Sequence, residues 1–365
     1  MTFLFAIMTA ALCADPSGAI AYVAGTNQED QCVHVLDVAT GATVRVGPGH
    51  RDGAPRWSPD GRWLAFETVQ PDGLGICVAR ADGSERHMLR HARKCNRGPR
   101  WSADGRRLIY AADADMDMQQ TLMVYDLASG EETTWAGERA GMMRPVWLPH
   151  LGLLLALDPD IEVTLEGLDF EAFVNDALID GMGLAIGLVG EAGNLSTEPM
   201  LTTRNMSLPF LRLLSRDSLR HAEWAIEINT RGDAIAFESN DGGFRDIFVV
   251  SRRGLNNVSN HHAADWNPVW SNDGKWVAFE SFRGGRRGIH RVFYETARIF
   301  SVAVGDAWDC WSPTWGPGDE WIAFVSDESG RAEIYAVHVE SGRRRKLTDS
   351  PGYCLAPAWY AEPMP

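Results

Sequence analysis

The chain has 365 residues, a net charge of −15 and a pI near 5.1. Its 45% apolar and 23% charged residues are the composition of a folded globular protein, not of a disordered one. The acidic balance argues against a nucleic-acid-binding stripe, and no run of 18 apolar residues exists to cross a membrane as a helix. Residues 3–14 (FLFAIMTAALCA) read as a short apolar segment ending in small residues, like a secretory leader, although no Lys or Arg precedes them. The expected organisation is a signal peptide over 1–14 and one domain over 15–365, located in the periplasm or secreted. Ala14 to Tyr22 then carry a turn and a strand, which begin a recurring unit.

The unit is marked by six Pro-x-Trp tripeptides, ending at Trp57, Trp101, Trp147, Trp270, Trp315 and Trp359. Successive tryptophans are 44, 46, 123, 45 and 44 residues apart. The long gap hides a weaker copy in which Ile226-Glu227-Ile228 replaces Pro-x-Trp, because Ile228 to Phe237 aligns with Trp270 to Phe279. After each marker comes a turn such as Ser58-Pro-Asp-Gly61, then an apolar run such as Trp63-Leu-Ala-Phe66. A further run (Ile76-Cys-Val78), a second turn (Ala81-Asp-Gly83) and a short last segment follow. Asp-Gly between apolar runs is a strong hairpin signal, since tight hairpin turns need φ > 0. Each unit is therefore four short antiparallel strands. Their near-continuous apolar runs require cover on both faces, which sheets stacked around an axis supply. Proline two residues before Trp suits an inner edge strand. A buried Trp takes about 150–250 Å² from water, worth roughly 4–6 kcal/mol gross.

The predicted fold is an all-β, seven-bladed β-propeller, with six or eight blades as alternatives. The tail strand at Trp359 is expected to pair with the head strand near Ile20 and so complete one blade. An insertion or degenerate blade is expected at about 158–222. Within it, Phe170, Phe173, Val174, Ala177 and Leu178 have helical spacing, consistent with a short helix over about 168–180. Arg343-Arg344-Arg345-Lys346 falls where a solvated outer strand belongs. Cys310 and Cys354 stand at equivalent positions in neighbouring units, either as a disulfide or as two buried thiols. No Cys-x-x-Cys is present to suggest structural zinc.

Pro-x-Trp-Ser-Pro-Asp-Gly followed by an apolar-Ala-Phe strand resembles the repeat of TolB-like propellers, a WD-like repeat. It is also similar to the propeller that precedes the hydrolase domain of prolyl oligopeptidases. The resemblance covers residues 15–360 apart from the insertion, and concerns the propeller only, without the N-terminal domain that TolB carries. It implies an envelope protein–protein role. The Gly-x-Ser-x-Gly elbow of the peptidase chemistry is missing from this sequence.

Loops entering the inner strands converge on one face of a propeller. There the sequence places Asp52, Asn96, Arg97, His221, Glu223, His261, His262, Asp265 and Asp309, with His50 beside them, as candidate binding residues. Acidic residues at strand starts also commonly accept backbone N–H bonds. No cofactor is expected, although His and carboxylate groups at the mouth could hold a metal ion. Adjacent His261 and His262 are expected to diverge if they lie on a strand. The expected function is an exported scaffold that binds a protein or glycan partner through the mouth loops and the insertion. The alternative is a propeller enzyme, polysaccharide lyase- or hydrolase-like, with a metal site at the mouth. A nucleic-acid partner is not expected.

Overall fold

The computed structural model describes residues 14–71, 73–89, 95–102, 104–113, 119–140, 144–148, 152–156, 224–231, 233–239, 243–251 and 253–360. Among them the chain is almost wholly β, with single 3₁₀ turns at Gln28–Asp30 and Pro317–Asp319. The leader, the insertion and its expected helix lie outside the described residues, as do Cys13, His221 and Glu223.

The recurring unit folds into a four-stranded antiparallel sheet. In the Trp270 sheet, Asp265–Trp270, Trp276–Ser281, Gly288–Phe293 and Arg298–Ala303 pair in sequence order. The Trp315 sheet repeats this with Cys310–Trp315, Trp321–Ser326, Glu333–His338 and Arg344–Lys346, and the Ile228 sheet does so with Trp224–Ile228 through Gly254–Asn257. The Trp57 and Trp101 sheets follow the same plan and touch through a parallel bridge, Leu74 opposite Cys95. Arg144–Leu148, which carries Trp147, pairs with Gly152–Ala156. The tail strand Tyr353–Trp359 pairs antiparallel with the head strand Ala19–Gly25, with Trp359 opposite Ile20.

Consecutive sheets pack face to face, and the core lies between them. Phe279, Val277 and Val292 meet Ala236, Val249 and Val258 of the sheet before. Ile289, Ala303 and Ala278 meet Trp315, Phe324 and Tyr335 of the sheet after. The head-and-tail sheet is covered on one side by Trp321 and Ile334 and on the other by Leu64 and Phe66. This two-sided burial explains why the strands read as unbroken apolar runs.

The repeat tryptophans do more than fill space. Four of the indoles reach to the adjacent inner strand and donate to the carbonyl one residue before that strand's anchor. Trp57 Nε1 bonds Ala358 O (2.8 Å), Trp101 bonds Arg56 O (3.1 Å), Trp270 bonds Glu227 O (3.0 Å) and Trp315 bonds Val269 O (3.0 Å). Trp359 instead donates to Ser17 O (2.9 Å) in the head segment. Such a bond adds about 1 kcal/mol to the burial of the ring.

Pro99, Pro268, Pro313 and Pro357 sit in bulges, not simply on a free edge. Ladder pairing skips between Arg97 and Arg100, Trp266 and Val269, and Trp311 and Thr314. The residue before the proline has positive φ: 63° at Gly98, 55° at Asn267, 52° at Ser312 and 50° at Ala356. For a non-glycine residue that conformation costs free energy and needs support from its surroundings.

Candidate functional site

The support comes from the neighbouring sheet. Glu67, Glu238 and Glu280 each follow the buried phenylalanine of a second strand. Their carboxylates cross the sheet boundary and accept the N–H of the bulge residue: Glu67 from Gly98 (2.9 Å), Glu238 from Asn267 (2.5 Å) and Glu280 from Ser312 (2.8 Å). Glu238 and Glu280 are buried, and each is matched by an arginine from the loop that ends its own strand. Arg245 pairs with Glu238, and Arg287 Nε meets Glu280 Oε2 at 2.5 Å. Asn267 Nδ2 completes the shell of Glu280 at 2.8 Å.

These loops share one end of the molecule with the segments that enter the inner strands. Asp265 N donates to Arg245 O (2.6 Å) and Cys310 N to Arg287 O (2.8 Å). We call this the mouth end. Here the guanidinium of Arg287 lies 5.6 Å from the ring centres of both Trp266 and Trp311, so it is held between two indoles. Phe282 also packs on Trp266, with ring centres 5.2 Å apart. Phe282 is 41% exposed, Phe244 51% and Val304 47%, and all three belong to mouth loops.

The sequence-chosen residues meet different fates. Asp52 is buried: Oδ2 accepts the amides of Val33 and Gly49 (both 3.1 Å), and Oδ1 accepts Thr68 Oγ1 (2.7 Å). Exposed His50 lends its carbonyl to Val69 N. Asn96 is buried, with Nδ2 on Leu74 O (3.1 Å), while exposed Arg97 donates to Cys95 Sγ (3.0 Å). Asp309 accepts Arg287 N and pairs with Arg286, both at 3.1 Å. Asp265 is buried and pairs with Arg283 (2.7 Å); burial pushes its carboxyl above the ordinary range. The structure thus gathers His261, His262, Asp265 and Asp309 along the rim from 259 to 311, with Asp52 in a separate backbone-binding node.

His261 and His262 lie in a loop, where the strand rule for adjacent side chains does not apply, and their rings stack with centres 4.1 Å apart. Of the two readings of Cys310 and Cys354, the structure has the buried thiols: both are free. Cys310 Sγ instead faces Ser326 Oγ at 3.7 Å. Among the described residues no group of three His, Cys, Asp or Glu side chains is arranged to hold a metal ion, and no helix is long and apolar enough to cross a membrane. Three residues of the basic run, Arg344–Lys346, do form an outer strand; beside and within it Arg343 and Arg345 grip Asp15, and Arg344 pairs with Glu328 at 3.0 Å.

Reasoning from sequence passed over the Glu280–Arg287 pair and its indole flanks. The signal was there as a recurring Phe-Glu (66–67, 237–238, 279–280) with a Gly-rich, Arg-containing loop after the last two.

No family model matches the chain. A curated relative, an uncharacterised protein of Agrobacterium fabrum, is 27% identical over 128 residues, 32% of this chain and 43% of that protein's own length. Among solved structures, the β-propeller domain of the trilobed protease from Pyrococcus furiosus superposes with a TM-score of 0.63 at 15% identity, over 93% of this chain and 98% of that one. Acylaminoacyl peptidase from Pyrococcus horikoshii gives 0.59 at 16% identity, over 92% of this chain and 52% of that one. TolB from Acinetobacter baumannii gives 0.56 at 16% identity, over 95% and 68%. At such identities the likeness establishes the fold alone. The chain is a β-propeller of the fold shared by TolB and the propeller domains of these peptidases.

Proposed function

We propose that this chain is an exported seven-bladed propeller, one domain over 15–365, whose mouth docks a partner protein. In this reading the head-to-tail pairing of Ile20 with Trp359 closes the ring, and the segment 158–222 adds an embellishment to one blade. The observation that carries the proposal is the cluster of Phe282, Trp266 and Trp311 around Arg287, with Phe244 exposed in the mouth loop of the sheet before. Aromatic residues and arginine are the types enriched at the centres of protein interfaces.

Charge placement supports the same reading. Glu238 and Glu280 are buried, whereas the Arg245 and Arg287 side chains that face them are 37% and 32% exposed, and Arg286, which pairs with Asp309, is 42% exposed. An acidic molecule therefore shows guanidinium groups at its mouth, which favours a partner with an acidic contact surface. The envelope role implied by the TolB-like repeat agrees with this, although fold alone does not determine function.

A photo-crosslinking amino acid placed at 282, and separately at 44 as a surface control, tests the proposal in envelope extract. A protein adduct formed at 282 and not at 44 is expected, and it should be lost in a Phe244→Ser variant. Equal labelling at both positions sinks the reading. Capture that instead needs residues 158–222 moves the docking site to the insertion, and adducts to a glycan alone replace the partner class.

A further inference from the structure

The loop between the Ile228 and Trp270 sheets is stitched by bonds that depend on protonation state. Asp246, at the start of a third strand, accepts Asn257 Nδ2 (2.8 Å), Ser259 Oγ (3.2 Å) and the His261 amide (3.2 Å). The His261 ring then turns its Nδ1 toward the chain ahead and accepts the Ala263 amide at 3.0 Å. Nδ1 must carry a lone pair to do this, so the proton of the neutral ring sits on Nε2. Arg283 closes the other side, bonding Ser259 O (3.3 Å) and Asp265 (2.7 Å).

We propose that residues 259–264 form an acid-sensitive latch at the mouth, closed by the neutral His261 ring and released when that ring takes up a proton. Protonation at Nδ1 sets two donors against each other, the new N–H and the Ala263 amide, across 3.0 Å. One must leave. The groups around the ring set the balance. From its own loop comes the stacked His262. Arg283 comes from the 282–287 loop and also disfavours added positive charge, and His290 comes from the third strand of the Trp270 sheet. Asp246 and Asp265 oppose them. Asp246 already accepts three donors and Asp265 is already paired with Arg283. Burial first, then His262 and Arg283, hold His261 below the ordinary histidine range. The latch thus stays closed at neutral pH and opens on mild acidification. Because its turn lies beside Asp265 and Phe282, opening moves the chain next to the aromatic rim (Phe282 N reaches Ala264 O at 3.4 Å).

The proposal does not depend on a partner, and the isolated full chain tests it. Proton–nitrogen correlation spectra between pH 7.5 and 4.5 follow the Ala263 amide and the histidine ring protons. The Ala263 resonance is expected to shift with the midpoint of the His261 ring, while the Ala278 amide, in the core of the same region, does not move. His261→Asn supplies the sharper arm. An asparagine oxygen can accept the amide two residues ahead and cannot be protonated in this range. That variant should keep the Ala263 resonance in its hydrogen-bonded position and abolish its pH response, whereas His261→Ala should show the released position at every pH. The latch is refuted by an Ala263 amide that stays put while His261 titrates, or by His261→Asn retaining the wild-type midpoint.

Discussion

The two ends of this propeller are built from the same strands and behave as different materials. At the turn end, neighbouring units are fastened to one another. Asn272 and Asp273 donate their amides to Asp319 of the next sheet, each at 2.7–2.8 Å, and Thr230 reaches Asn272 O at 2.7 Å. Tyr360 closes over Gly61 with its hydroxyl on Pro59 O, and Trp359 lies against Gly316, where a Cβ would come within 3.0 Å of the ring. The turns are short, with the Asp-Gly chemistry that fixes their shape. At the mouth end the connections are longer. Their charges are paired inward, and large apolar side chains such as Phe244 and Phe282 face solvent. The contrast teaches where this fold keeps its rigidity and where it keeps its freedom to recognise something. Loops held by a stiff scaffold are the usual place for recognition.

Four measurements test that contrast. The largest effect is expected at the turn end. Trp315→Ala removes a buried ring and the bond to Val269 O, and should cost about 4 kcal/mol in denaturant unfolding. Trp315→Phe keeps most of the burial and should cost nearer ~1 kcal/mol more than a volume change alone, the value of the lost hydrogen bond. A loss in Trp315→Phe no larger than its volume change would mean that the indole N–H contributes nothing to stability.

The next effect tests whether the mouth is anchored from beneath. Glu280→Ala leaves Arg287 without its carboxylate and the Ser312 amide without its acceptor. Breaking such a buried pair costs on the order of 3 kcal/mol. Crystal or solution structures of the variant should show the 310–313 bulge displaced while the 316–320 turn stays in place. Movement of both would erase the distinction between the ends.

A pH series gives a comparable figure at a single group. His290 is buried against Phe279, and burial lowers its pKa from 6.5 to about 4, helped by Arg283 and His261. An unfolded chain therefore binds more protons than the native one between these values, so stability is complete above about 6.5 and falls as the pH drops toward 4. The shift corresponds to roughly 3 kcal/mol. Urea midpoints measured from pH 7 to pH 4 should decline accordingly, and much less steeply in His290→Leu.

The smallest expected effect on folding is the most telling about function. Phe282→Ser and Phe244→Ser change exposed mouth residues and should alter stability by less than about 0.5 kcal/mol. If the mouth is a docking surface, both variants should weaken partner binding at least tenfold while melting like the parent. A large loss of stability would instead make these rings part of the core.

Much of this was legible along the chain. The spacing of Pro-x-Trp, the Asp-Gly turns and the unbroken apolar strands lead to four-stranded sheets with both faces covered, and the Trp359–Ile20 pairing follows from counting strands at the two ends. Asp52 and Asp309 were correctly suspected of accepting backbone amides at strand starts. Other features were not legible. Cys310 and Cys354 share a position in the repeat, yet each thiol lies within its own sheet boundary. His261 and His262 stack because they occupy a loop, and the period-two rule for strands does not apply there.

The unit, its turns and the inner position of its tryptophan are written locally in the chain, because turn chemistry and strand burial act over a few residues and repeat. Which side chains from different units meet depends on how the sheets stack. Arg287 stands between Trp266 and Trp311, and Glu280 accepts an amide 32 residues away, because sheet stacking brings together groups that the chain keeps apart. That stacking depends on the size and tilt of whole sheets, and no local pattern of residues records it.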